Sequence, residues 1–320
     1  MPEARPSRRT AAARKPAWLK IKAPVAGAFR ATGAVLDDLR LHTVCDEARC
    51  PNKGECFSAR TATFLILGDV CTRCCRFCAV THAEDAEAAG RAKPAPGKPA
   101  SRGEAGVCAL DPDEPVRLAE AAVRLGLRHV VVTSVTRDDL EDGGASHFVA
   151  AIEALRAALP SATVEVLVPD LAGDPVALDR VLAARPDVLN HNLETVPRLY
   201  PVARPQAVYA RSLEVLRRAA ATAPRPLVKT GLMVGLGESL DEIGAVLRDC
   251  ADAGADVVTI GQYLRPRASC LPVARYVPPE EFSALEAEGA RLGLRVVAGP
   301  FVRSSYRAAE VLHAPSRDGD

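Results

Sequence analysis

Short apolar runs rich in β-branched residues recur along the chain at Thr61 to Leu67, His129 to Val135, Thr163 to Val168, Val188 to His191, Leu227 to Val234, Val257 to Ile260 and Arg295 to Val297. Each has the length and make-up of a buried strand. Segments of helical period fill the gaps between them. From Ser239 to Ala253, Ser239 and Glu242 stand at the spacing of a capping box. In the same segment Ile243, Val246, Leu247 and Cys250 follow the i, i+3, i+4, i+7 pattern, and Gly254 is placed to end the helix. Asp113 to Leu125 has Pro115 near its first turn and Gly126 just beyond its end. Strands alternating with helices predict a parallel sheet with helices outside, either open or closed into a barrel.

The polar residues fall after these runs. They comprise Cys71 to Cys78, Thr136 to Asp139, Pro169 and Asp170, Asn192 to Glu194, Gly235 to Glu238, Gln262 to Arg265 and Gly299 to Tyr306. All lie at carboxyl ends of predicted strands, the face on which parallel α/β barrels build their sites. Any one such cluster also reads as turn and helix-capping residues. Seven in succession argue for a single functional mouth. The chain of 320 residues exceeds the usual one-domain prior of roughly 150, but fits one α/β barrel with terminal extensions.

Composition narrows the function. With 41 basic against 40 acidic residues there is no global field to attract nucleic acid, and 4% aromatics provide no platform for stacking bases. No apolar run approaches the ~20 residues that span a bilayer, and ten cysteines point to a reducing, cytoplasmic setting. The first thirty residues hold eight Lys or Arg and one acid, Glu3, with four prolines among them. That segment reads as an arm outside the core. Its basic, acid-poor composition also resembles an organellar transit peptide, but the prolines spoil the amphipathic helix such a peptide needs. The Ala-, Gly-, Pro-, Lys- and Glu-rich stretch from Ala83 to Gly106 is expected to be a surface loop without structure of its own.

The chemistry is concentrated in cysteine. Cys71, Cys75 and Cys78 stand at the spacing C-x3-C-x2-C, with Phe77 before the last. Three thiolates so placed can hold three irons of a cubane cluster and leave the fourth open for a ligand. Upstream, Cys45, Cys50 and Cys56 form the first triplet in chain order, C-x4-C-x5-C. Because Cys74 also lies in the loop, Cys71-x2-Cys74 and Cys75-x2-Cys78 parse as two abutting zinc knuckles. Paired units of one zinc site usually lie roughly 15 to 20 residues apart, however, and back to back they would hardly converge. A disulfide framework belongs to short secreted chains. Iron–sulfur is the favoured reading. The six histidines show no ligand spacing, Cys250 reads as core, and Cys108 and Cys270 have no evident role.

The C-x3-C-x2-C loop after a first barrel strand resembles the radical S-adenosylmethionine superfamily, and the preceding C-x4-C-x5-C resembles its lipoyl synthase family. Asn190 to Tyr200, Gly231 to Glu238, Gly261 to Leu264, and Gly299 to Tyr306 with its Arg-Ser-Ser-Tyr ending also read as segments of that family, in its order. The resemblance spans about Lys15 to Tyr306. There are three departures. Cys74 stands where a basic residue is expected, Thr230 replaces a serine before Gly231, and the loop from Ala83 to Cys108 is longer than expected.

The resemblance implies a partial (β/α)6-type radical SAM barrel over residues 61–294, interrupted by a flexible 83–108 insertion. It would be flanked by a basic arm and auxiliary-cluster extension (1–60) and a C-terminal extension (295–320). It implies insertion of two sulfur atoms at carbons 6 and 8 of an octanoyl chain on a carrier lysine, giving the lipoyl group. Two 4Fe-4S clusters and S-adenosylmethionine are implied as cofactors. Cys71, Cys75 and Cys78 would hold the cluster that cleaves S-adenosylmethionine to a 5′-deoxyadenosyl radical. Cys45, Cys50, Cys56 and a serine, Ser305 in preference to Ser304, would hold the cluster that donates sulfur. Asn192, Glu194, Arg204 and Gln262, with Tyr263, are the candidate contacts to S-adenosylmethionine. Implied partners are an octanoylated lipoyl carrier, an electron donor such as flavodoxin or ferredoxin, and an iron–sulfur assembly or carrier protein, with neither nucleic acid nor membrane. The rivals are a two-cluster methylthiotransferase, which would be expected to carry a nucleic-acid-binding module, and a non-catalytic iron–sulfur electron carrier.

Overall fold

The structure is a computed structural model that describes residues 15–21, 24–88, 107 and 109–313. All seven apolar runs form strands: Thr63–Ile66, His129–Ser134, Thr163–Leu167, Val188–Asn190, Leu227–Val234, Val257–Gln262 and Arg295–Gly299. They pair in parallel, each with its neighbour in the sequence, from first to seventh. The first and last do not pair with each other, so the sheet is an open barrel. The seventh strand, expected in the C-terminal extension, continues the barrel sheet, with Arg295 opposite Val257 and Gly299 opposite Gly261. On the outer edge of the first strand lies His42–Thr43, antiparallel, with His42 opposite Leu65.

Sequential parallel order with right-handed crossovers places the helices on one face and leaves the other to line a concave interior. Strand side chains divide accordingly, with a period of two. Val130, Val132, Val164, Val166, Leu189, Val228, Val258 and Ile260 pack under helical residues such as Leu118, Phe148, Ile152, Leu216, Ile243 and Leu247. Glu165, Asn190, Lys229, Gly231 and Thr259 have the opposite parity and face the interior. Low in that interior, Lys229 Nζ donates to Glu165 at 2.9 Å, Asn190 Nδ2 donates at 3.1 Å, and His129 Nε2 lies 3.2 Å away. Burial works against the charge of Glu165, but Lys229 and His129 hold its carboxyl below the ordinary range.

Local signals explain the helix boundaries. Leu240–Asp252 begins at the Ser239–Glu242 capping box, and Gly254 follows in a left-handed conformation, φ +76°. Glu114–Leu125 ends on Gly126, also left-handed. The stretch expected to lack structure departs from that reading at its start. Thr81–His82 pairs in parallel with Val70–Cys71, and Ala83–Ala88 continues as a helix. The pairing orders the chain leaving the cysteine loop, which composition alone does not convey. The basic arm through residue 14, most of the 83–108 insertion and Cys108 lie outside the described residues.

Candidate active site

The loop from Cys71 to Cys78 leaves the first strand and is fastened at nearly every residue. Thr72 donates from both its backbone N–H and its hydroxyl to Thr136 O at 3.0 Å. Arg73, buried at 5% exposure, grips Asp138 through Nε at 2.7 Å and Asp170 through Nη2 at 2.6 Å. Burial disfavours the guanidinium charge, yet these two carboxylates raise its pKa. Arg76 N–H donates to Ala203 O and Leu271 N–H to Arg76 O, both at 2.8 Å. The loop is therefore stitched to the ends of the second and third strands and to two later loops. The acids at Asp138 and Asp170 stand out in the sequence as strand-end residues, but their pairing with Arg73 across 65 and 97 positions has no sequence signal.

So held, Cys71, Cys75 and Cys78 converge. Burial pushes the thiols of Cys75 and Cys78 up to about 12, and each of the two also feels the charge of Cys71. Among the described residues no three or more His, Cys, Asp or Glu side chains are close enough to hold a single metal ion. The nine described cysteines are free, so no disulfide framework is present among them.

Above this loop lies the end of the fourth strand. Glu194 is half-buried with φ +68°, an uncommon conformation for a non-glycine residue that its surroundings must hold in place. Its N–H donates to Gly231 O, and its carbonyl accepts from Met233 N–H. Burial pushes its carboxyl above the ordinary range, against the opposing pull of Arg204 and of the Asn192 Nδ2 hydrogen bond at 3.1 Å. Arg204, 8% exposed, donates through Nη1 to the carbonyls of Asn192 at 2.9 Å and Leu193 at 3.1 Å. Its Nε is buried with no partner. The charge of Arg204 also opposes the upward push of burial on Cys75, so the guanidinium acts on both Cys75 and Glu194.

Three of the expected contacts are hydrogen-bonded within the protein. Gln262, 1% exposed, donates through Nε2 to the carbonyls of Val234, Tyr263 and Arg275 and accepts from Val277 N–H. Backbone groups hold both ends of its amide, so it braces the loop after the sixth strand. Tyr263 is buried too, and its hydroxyl donates to Leu271 O at 2.7 Å. Asn192 is also occupied on both sides, holding Glu194 with its Nδ2 and accepting from Ser304 Oγ at 2.8 Å with its Oδ1. It orients neighbours.

The other triplet forms a compact knot. Thr43 caps the helix Val44–Glu47 that carries Cys45. Cys50 N–H donates back to Cys45 O, and Cys56 sits on the helix Lys53–Ser58, its carbonyl accepting from Thr61 N–H. Burial pushes Cys45 up to about 12 and Cys56 to about 11, and both feel Cys50. The C-terminal segment closes over this knot. Asn52 Nδ2 donates to Phe301 O at 2.7 Å, and Tyr306 Oη donates to Glu55 at 2.9 Å. Burial lowers the pKa of Arg303, while Cys50 and Glu194 oppose that shift, so this guanidinium feels both the Cys45–Cys56 knot and the barrel mouth. Gly231 makes room for the segment: a Cβ there would lie 2.7 Å from both Asn192 Oδ1 and Ser304 Oγ. Arg303 and Gly231 are functional positions that strand and helix patterns do not single out.

The donor set fits the implied cofactors. Two groups of three thiols suit cubane clusters. A buried guanidinium with a free Nε beside a carboxylate suits the carboxylate and amine of an amino-acid moiety.

Comparison with known proteins agrees. Residues 65–250 match the model of the Radical SAM superfamily, and residues 3–50 match the N-terminal domain of lipoyl synthase of the radical SAM family. The lipoyl synthase of Nitratidesulfovibrio vulgaris is 53% identical over 94% of this chain and 93% of its own length. That of Rubrobacter xylanophilus is 50% identical over 92% and 86%, and that of Thermus thermophilus 51% over 93% and 86%. Among solved structures, methylornithine synthase superposes with a TM-score of 0.50 at 14% identity, over 93% of this chain and 86% of that one. A maturase of the FeFe-hydrogenase gives 0.51 at 14% identity, over 73% and 55%. At such identity these two likenesses show the fold alone.

Proposed function

Because the chain belongs to the lipoyl synthase family of the radical SAM superfamily, we propose that it inserts sulfur at carbons 6 and 8 of an octanoyl chain carried on a lysine of a lipoyl carrier protein or domain. Cys71, Cys75 and Cys78 hold the cluster that binds S-adenosylmethionine. Cys45, Cys50, Cys56 and Ser305 hold a second 4Fe-4S cluster, the source of the sulfur. When bound, these groups supply a 5′-deoxyadenosyl radical, able to take hydrogen from unactivated carbon, and the sulfide that replaces that hydrogen.

One observation carries the reading. The segment from Phe301 to Tyr306 touches the first triplet through Asn52 and Glu55, and the barrel mouth through the Ser304–Asn192 bond at 2.8 Å. A reaction that moves sulfur from one cysteine site to a substrate at the other needs the two held in a fixed relation, which this segment can provide. In the mouth, the free Nε of Arg204 meets the cofactor's carboxylate, and Glu194 accepts from its amine or ribose hydroxyls. Asn192 holds Glu194 and Ser304 in register. The commitment of Ser304 to Asn192 supports Ser305 over Ser304 as the serine ligand that the family resemblance implies. Its hydroxyl is a hard, exchangeable ligand for an iron that must be released. The Arg73 clamp fixes the cysteine loop, and burial of the thiols keeps water from the radical's surroundings.

The carrier is the protein substrate. A donor such as flavodoxin or ferredoxin supplies electrons, and an iron–sulfur carrier protein rebuilds the second cluster. Among the described residues no helix is long and apolar enough to cross a membrane, which is compatible with a cytoplasmic site of action.

The test is an anaerobic single turnover of the iron-loaded protein with S-adenosylmethionine, a strong reductant and an octanoyl-lysine peptide, read by mass spectrometry. Two sulfurs in the peptide together with 5′-deoxyadenosine are expected. Formation of 5′-deoxyadenosine without sulfur transfer would withdraw the substrate, and neither product from fully loaded protein would return the chain to the non-catalytic reading. Ser305→Cys should lower sulfur transfer severalfold while 5′-deoxyadenosine still forms; an unchanged yield in the same assay would remove Ser305 from the ligand set.

A further inference from the structure

Four thiols crowd the cluster loop where three are needed. Cys71 and Cys78 can be completed by Cys75 or by its neighbour Cys74, and thiol chemistry does not distinguish the two. The structure does. Cys74 N–H donates to Gln206 Oε1 at 2.8 Å, and the Cys74 thiol donates to the same oxygen at 3.2 Å. One residue beyond Cys75, Arg76 N–H donates to Ala203 O at 2.8 Å. The backbone on both sides of Cys75 is thus tied to the segment 203–206. Cys74 is turned toward Gln206, and Cys75 is turned toward Cys71 and Cys78, with which it interacts electrostatically. Cys71 is fixed in turn, its sulfur accepting from Thr136 N–H at 3.4 Å.

We propose that Gln206 is a positioning residue that sets the ligand register of the loop, holding Cys74 out of the cluster so that Cys75 ligates iron. The inference rests on Cys71, Cys75 and Cys78 being the cluster ligands. For Cys74 to take the place of Cys75, both of its hydrogen bonds to Gln206 must break and its backbone must leave the 203–206 segment. Two bonds of ordinary net strength bias the two registers by roughly tenfold or more. Cys74 therefore remains a free thiol in the iron-loaded protein.

Anaerobic alkylation of the iron-loaded full chain with iodoacetamide, mapped by peptide mass spectrometry and accompanied by iron analysis, tests this. In the wild type, Cys74 is labelled while Cys71, Cys75 and Cys78 are protected. In Gln206→Ala, labelling of Cys75 rises roughly tenfold with matching protection of Cys74, at unchanged iron content. Gln206→Glu keeps the acceptor oxygen and restores the wild-type pattern. Protection of Cys74 with labelling of Cys75 in the wild type would overturn the proposal, and so would a Gln206→Ala pattern identical to the wild type. Labelling of all four thiols with no iron bound at the loop is a different failure, one that overturns the cluster reading and the register together.

Discussion

At the scale of single residues, His191 shows how the mouth depends on burial. It lies at the end of the fourth strand, its Nδ1 2.8 Å from Val168 O and its Nε2 without a partner. Burial, reinforced by the charge of Arg204, lowers its pKa to about 4. An unfolded chain would protonate this imidazole near the ordinary 6.5, so between that pH and about 4 the unfolded state binds the extra proton. Stability from this group is complete above about pH 6.5 and declines as pH falls through that window. For the protein without iron, denaturant unfolding at pH 7 and near pH 5 is expected to show a loss in the wild type that is about 2 kcal/mol smaller in His191→Asn. Equal losses in the two proteins would show that His191 is not held neutral. Nε2 of His191 and Nε of Arg204 are both buried without a hydrogen-bond partner in the protein.

At the scale of elements, the barrel is tied from within. Lys229 on the fifth strand and Glu165 on the third meet across Asn190 on the fourth, at 1% and 0% side-chain exposure. Removing one member of such a pair leaves an uncompensated charge in a low-dielectric interior. Lys229→Met should therefore cost about 3–5 kcal/mol in urea unfolding, and adding Glu165→Gln should recover part of that loss. A loss under about 1 kcal/mol would mean that water or His129 compensates Glu165. The pair also shows where sequence reading stops. Strand parity is visible in Val228, Val258 and Ile260, whereas the partner of a polar residue at the other parity depends on which strands lie side by side. The helix formed by Ala83–Ala88 is a further instance, because low-complexity composition hides the pairing of Thr81–His82 with Val70–Cys71 that precedes it.

At the scale of the whole molecule, the two ends of the chain form one functional unit. Asn52 and Phe301 are joined across 249 positions, Glu55 and Tyr306 across 251. Truncation after Gly299 should therefore unload the first triplet and leave the cysteine loop intact. Iron should fall from about eight to about four atoms per chain, with 5′-deoxyadenosine still formed and sulfur transfer abolished. Iron analysis and product mass spectrometry would show this, and retention of about eight irons would place the lid of the first triplet elsewhere.

The sequence by itself determined the strands, their parallel arrangement, the capped helices and the thiols available to metal. Each of these depends on local period, turn chemistry or close spacing along the chain. The two cysteine triplets stand out at their close spacing, whereas Glu194 and Arg204 enter as candidate contacts only through the family resemblance. Only the tertiary structure decided that backbone groups hold both ends of the Gln262 amide, that Arg73 clamps the cluster loop through Asp138 and Asp170, and that Gly231 leaves room for Ser304. It also decided that Cys74 is hydrogen-bonded to Gln206 through both its N–H and its thiol. Those outcomes depend on contacts between residues tens to hundreds of positions apart, which form only after the sheet has curved and brought its strand ends together.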